Sequence, residues 1–174
     1  CSQQFLGGTP AYGETITGWA EAEGKNNKLP GGRGKYGVAS VRIEPMERGA
    51  GYEFVDAIVG GAIPRNLIPS GDKGIQETMA NGGLRGFPVV DVRATVFDGK
   101  FHAVDSDEMS FKMAGRLAFR EAMAAAGPVV LEPVSRVEVT VPAEQLGAVM
   151  GDLNARRGRV QGSDSGNDGA AVGY

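Results

Sequence analysis

One cysteine (Cys1) and one histidine (His102) are all that the 174 residues supply of two common metal-binding side chains. A His- or Cys-based metal site has almost no material here, and an internal disulfide framework is excluded. Positive charge is also scarce, with 18 Lys and Arg against 21 Asp and Glu, for a net charge of −3. Contact with nucleic acid must then come from locally clustered cations rather than from a globally basic surface. No stretch approaches the roughly 20 consecutive apolar residues that cross a bilayer, and the first residues lack the charged-then-apolar order of a secretory leader. A cytoplasmic location with no membrane contact is the expectation. Glycine is plentiful, at 28 residues, and reads as lying mostly at turns. With 41% hydrophobic and 22% charged residues, the length suits one globular domain, or one domain and part of a second.

Residues 1–10 carry no periodicity and read as a tail or linker. From Glu14 to Lys28 the chain is polar with scattered β-formers, and Val38, Val41 and Ile43 mark a second strand-like run, so two strands flank the stretch GGRGKYG. GYEFVDAIVGG is strand-like again. Ile68, Ile75 and Met79 sit at helical spacing before an Asn81-Gly82-Gly83 stop, and Phe87–Gly99 alternates as a strand. The next segment predicts a long helix that Asp105 or Ser106 would cap, with Asp107 and Glu108 at its positive end. Met109, Met113 and Leu117 would be its buried stripe, Arg116 and Arg120 would face solvent, and Gly127-Pro128 would end it. A second unit follows: the strand RVEVTV, a helix opened by Pro142 with Leu146, Val149, Met150 and Leu153 on one face, a strand over 158–162, and a last short strand. This order predicts half of a split βαβ domain.

The stretch GGRGKYGV matches both the dinucleotide fingerprint and the kinase glycine loop as a pattern. A dinucleotide or P-loop motif works because a helix starts directly after it and aims backbone N–H groups at phosphate, whereas here a strand follows. The kinase reading fails on its partners, since the V-A-I-K lysine, H-R-D and D-F-G are all missing. Lys25, Lys35 and Lys100 each follow a glycine but precede Asn, Tyr and Phe, so none is a Walker A lysine. What remains is a long hairpin whose tip carries Arg33, Lys35 and Tyr36 on a glycine-rich backbone. That combination suits RNA phosphates and unstacked bases, and it equally describes a solvated hairpin tip.

The order AYGETI, EAEGK, GGRGKYG, GYEFVDAIVGGAIP, KGIQE, GFPVVDVRATVFDGKFHAVDS, LEPVSRVEV and GDLNARRGRVQG, running from Ala11 to about Val172, resembles domain IV and early domain V of bacterial elongation factor G, the ribosomal translocase. The resemblance implies an α+β fold. Domain IV would span 11–130 with an unusual βαβ crossover shared with a small-subunit ribosomal protein, and 131–174 would be a partial ferredoxin-like domain V. It implies a ribosome-contacting tip made of Gly31, Gly32, Arg33, Gly34, Lys35 and Tyr36, which in the intact factor approaches the codon–anticodon duplex. A second tip loop would run Gly99-Lys100-Phe101-His102-Ala103-Val104-Asp105-Ser106, with His102, Asp105 and Ser106 in contact with the ribosome and His102 at the position that archaeal and eukaryotic relatives convert to diphthamide. The implied partners are the decoding region with its rRNA, and the tRNA–mRNA pair. No catalytic residue, metal or cofactor is expected in this chain. GTP and Mg would belong to a GTPase domain elsewhere in the complete factor.

Two departures stand out: Lys35 replaces the family's usual Gln, and Gly13 a usual Arg. Lys35 leaves open a divergent paralogue acting in ribosome splitting or protection, and an edge of domain V could pair with a protein. Arg156, Arg157 and Arg159 could meet rRNA phosphates, or complement the dipole of the helix that precedes them. Asp105, Asp107 and Glu108 read as capping groups rather than an acid/base pair. His102 on residue type alone is equally a surface histidine ahead of a cap, and Trp19 and Phe87 read as packing anchors.

Overall fold

The computed structural model describes residues 12–28, 35–134, 137–166 and 169–173. They fall into two compact units, one over 11–132 and the other from 133 onward. The first contains β1 (Gly13–Ile16), β2 (Ala20–Lys28), β3 (Lys35–Pro45), β4 (Tyr52–Asp56), α1 (Ile68–Ala80), β5 (Val92–Lys100), α2 (Glu108–Ala125) and β6 (Pro128–Leu131). The second contains β7 (Glu138–Val141), a single 3₁₀ turn, α3 (Leu146–Ala155), β8 (Gly162–Gly166) and β9 (Gly169–Gly173).

In the first unit the main sheet has the order β2-β3-β5-β4. β4 and β5 are parallel neighbours joined through α1, which is the expected βαβ crossover. The polar run from Glu14 to Lys28 is not one strand. Thr17 and Gly18 donate their N–H groups to Gly127 and Ala126 at the end of α2, so β1 leaves the main sheet and pairs with β6. Buried Glu14 holds this corner: its carboxylate accepts from the backbone N–H groups of Arg85 and Phe87, both at 3.0 Å. A charged side chain 1% exposed is tolerated because backbone donors replace its water.

α2 packs its apolar side on β2, β3 and α1. Its buried face is Phe111, Ala114, Ala118, Phe119, Ala122 and Met123, which corrects the expected stripe: Met109 is 46% and Leu117 40% exposed. Arg120 is exposed and Arg116 half-buried. The face is set by small residues that let backbones approach. A Cβ on Gly115 would lie 2.6 Å from the carbonyl oxygen of Gly71 in α1, and one on Gly24 would overlap the Ala114 carbonyl. Several glycines read as turn residues are therefore contact points between layers.

Trp19 is not a packing anchor. It is 66% exposed, and the Arg42 guanidinium lies 5.9 Å from its ring and 5.7 Å from that of Phe97. Phe87 is half-buried, with Tyr12 at 5.6 Å between ring centroids.

In the second unit β7 and β8 both run antiparallel to the central β9, so they are parallel to each other and joined through α3. This is the split βαβ arrangement expected, and the fold as a whole is α+β. The strand expected over 158–162 is displaced to β8. Arg157 takes a left-handed φ of 65°, and Gly158 and Arg157 return their N–H groups to the carbonyls of Leu153 (2.8 Å) and Asn154 (3.1 Å). That Schellman closure uses 156–158 to end α3, so no strand can begin there.

Candidate functional site

The hairpin β2–β3 and the end of β5 meet at one end of the main sheet, because Lys28 pairs with Lys35 and Val38 with Lys100. Residues 101–107 then connect β5 to α2, directly beside the start of β3. Gly31, Gly32, Arg33 and Gly34 lie outside the described residues. Lys35, Tyr36, His102, Asp105 and Ser106 are brought together as one cluster.

Tyr36 is the centre of this cluster. Its backbone N–H donates to the carbonyl of Asp105 at 2.8 Å, and its carbonyl accepts from the Ser106 hydroxyl at 2.7 Å. The Ser106 Oγ also accepts the N–H of His102 at 2.8 Å, while the Ser106 N–H donates to the His102 carbonyl at 2.9 Å. The phenol and imidazole rings stand edge to face, 5.2 Å apart with an interplanar angle of 87°. His102 itself is exposed.

The cap of α2 is Asp107, not Asp105 or Ser106; the Ser106 hydroxyl is engaged by Tyr36 and His102. Asp107 is extended (φ −134°, ψ 178°), and its Oδ1 accepts from both the N–H and the hydroxyl of Ser110 at 2.7 Å. The bond from the Ser110 hydroxyl, more than any other influence, holds the Asp107 carboxyl below its ordinary pKa, with Lys35 adding a smaller pull. The Lys35 amine is 3.6 Å from Asp107 Oδ2. The Lys35 cation is thus engaged partly by the residue that caps α2.

Within the expected second tip loop, three residues not singled out as site residues are also exposed: Lys100, Phe101 (42% exposed) and Val104 (83% exposed). Lys100 makes no ion pair among the described residues. Their signal was present in GKFHAVDS, where apolar residues sit in a loop that no core claims. A free amine, an exposed ring and an imidazole on a fixed backbone can contact phosphates and stack on bases, and they form no nucleophile–base pair.

In the second unit Arg156, Arg157 and Arg159 line one cavity of about 510 Å³, floored by Val134, Val137 and Leu153. Arg156 is the C-cap of α3 and pairs with Asp152 at 2.9 Å, so one of the three serves its own helix.

Residues 8–141 match the family model described as Elongation factor G, domain IV, and residues 129–173 match that of the Elongation factor G C-terminus. A crystal structure from Thermus thermophilus is similar, with 41% sequence identity and a TM-score of 0.87 over 95% of this chain. The match covers 25% of that chain, so the present sequence spans about a quarter of its relative's length.

Proposed function

The chain belongs to the elongation factor G family, and on that premise we propose that its two-loop tip meets RNA in the decoding region of the ribosome during tRNA–mRNA translocation. The observation that supports this most is the hydrogen-bonded cluster between the β5–α2 loop and the start of β3, which leaves His102, Phe101, Val104 and Lys100 at the surface. In this reading the tip is non-catalytic. It acts by shape, stacking and a few charge contacts, with the sequence neighbour Arg33 as a further contact. GTP with Mg would be bound by a domain of the complete factor outside this sequence, whose own glycine stretch leads into a strand. Arg157 and Arg159 are assigned a secondary contact with rRNA phosphate. Among the described residues no helix is long and apolar enough to cross a membrane. The proposal places the protein in the cytoplasm, where ribosomes work.

The test is single-round translocation by the complete factor carrying this domain. His102→Ala should slow translocation while the factor still binds ribosomes. An unchanged rate would overturn the proposal, and an altered rate of ribosome splitting in its place would move the assignment to a paralogue.

A further inference from the structure

The β5–α2 loop and the start of β3 are distant in sequence, and one side chain joins them. The Ser106 hydroxyl donates to the Tyr36 carbonyl at 2.7 Å and accepts the His102 N–H at 2.8 Å, so the last turn before α2 is tied to the root of β3. The Tyr36 ring in turn stands against the His102 imidazole at 5.2 Å. We infer that Ser106 is a positioning residue, whose hydroxyl fixes the backbone of His102 and, through Tyr36, the direction in which the imidazole is presented. The functional meaning of this inference rests on the reading above, in which His102 faces RNA.

Entropy and register both bear on this role. An exposed imidazole on a free loop samples many orientations, and ordering it against RNA would weaken binding by the freedom lost. Here four hydrogen bonds close a ring of backbone that includes residues 36, 102, 105 and 106. Ser106 alone belongs to three of them. The side-chain type is constrained as well. One atom must donate to a carbonyl and accept from an N–H at the same time, which a hydroxyl can do and a methyl or an ammonium cannot. The ion pair of Lys35 with Asp107 runs beside this ring and links the same two segments from the exposed side, at 46% and 52% side-chain exposure. Such a pair contributes little alone.

The sequence contains a single histidine, so ring resonances of His102 are unambiguous in a proton–carbon spectrum of the full 174-residue chain. Tyr36→Leu removes the neighbouring aromatic ring and calibrates its contribution to the His102 shift. Ser106→Ala should move the His102 ring resonances toward the Tyr36→Leu values, and Ser106→Thr, which retains the hydroxyl, should leave them near wild type. Ser106→Ala with His102 resonances at their wild-type positions would overturn the inference. If Ser106→Ala fails to fold, the wild-type chain still decides: protection of the His102 amide and cross-relaxation between the His102 and Tyr36 rings are expected, and absence of both refutes it.

The functional arm is single-round translocation by the complete factor. Ser106→Ala should slow it to the extent that His102→Ala does, and the double variant should be no slower than His102→Ala. If the ring resonances shift but neither variant slows translocation, Ser106 still positions His102 and the proposed role of the tip falls. If His102→Ala slows translocation and Ser106→Ala does not, the tip's role stands and the positioning inference fails.

Discussion

The two units of this chain are built from the same kinds of element, yet among the described residues only the first has buried side chains. In the first, α2 and α1 cover a four-stranded sheet, and Val41, Ile43, Ile75, Val92, Ala94, Phe111 and Phe119 are at most 1% exposed. In the second, no described residue from Pro133 to Ser163 is buried, although Leu146, Val149, Met150 and Leu153 form an apolar face at helical spacing. The described side chains of α3 and β7 are shielded only in part. Hydrophobic stabilisation grows with apolar area removed from water, so a correct pattern without a covering layer contributes little. The described part of the tip, from Lys35 and from residues 101–107, belongs to the unit with the buried core.

The widest separation between the units should come from core truncation. Phe119→Ala should destabilise the first unit by about 3–5 kcal/mol in denaturant unfolding, whereas Leu153→Ala in α3 should fall below about 1 kcal/mol. Equal effects would remove the contrast. Next in size is Gly74→Ala in α1, where the new methyl would overlap the carbonyl of Lys112 in α2. Helix propensity favours the substitution by about 1 kcal/mol, but overpacking opposes it by about 1–3 kcal/mol. A net loss of stability is expected, and a gain would show that the helices can separate.

A smaller effect belongs to the cap. Asp107→Ala should lower stability by about 1 kcal/mol through loss of the Ser110 bonds. The folded carboxyl is held below its ordinary pKa, so this contribution is full at neutral pH, where the group is ionised in both states. It is lost as pH falls below the unfolded value of about 3.9 toward the lower folded one. The difference between wild type and Asp107→Ala should shrink over that acid range. A difference that grows on acidification contradicts this assignment.

The smallest effect discriminates between two lysines at the tip. Lys100 is exposed without an ion pair among the described residues, and Lys35 is held near Asp107. In binding to a decoding-site RNA, Lys100→Gln should reduce the slope of log affinity against log salt by about one, and Lys35→Gln by less. A larger loss for Lys35 would show that RNA draws the amine away from its carboxylate.

Sequence alone specified most of the strands and all three helices, because those signals are local. The alternation around Val41 and Ile43, the stop at Asn81-Gly82 and the break at Gly127-Pro128 act through their neighbours in the chain. The motifs also carried the family, and with it the expectation that His102 and the hairpin belong to one end. What only tertiary structure decided are matters of partnership across long separations. Glu14 is buried because Arg85 and Phe87, more than seventy residues away, offer it backbone donors. The face that α2 buries follows from where Gly24, Gly74 and Gly115 permit backbones to touch, and apolar periodicity carries no record of that. Ser106 reads as a helix cap in the sequence. It becomes a bridge from the β5–α2 loop to the start of β3 because folding brings the Tyr36 carbonyl within 2.7 Å of its hydroxyl, and a hydrogen bond depends on the atoms within reach, wherever they lie in the chain.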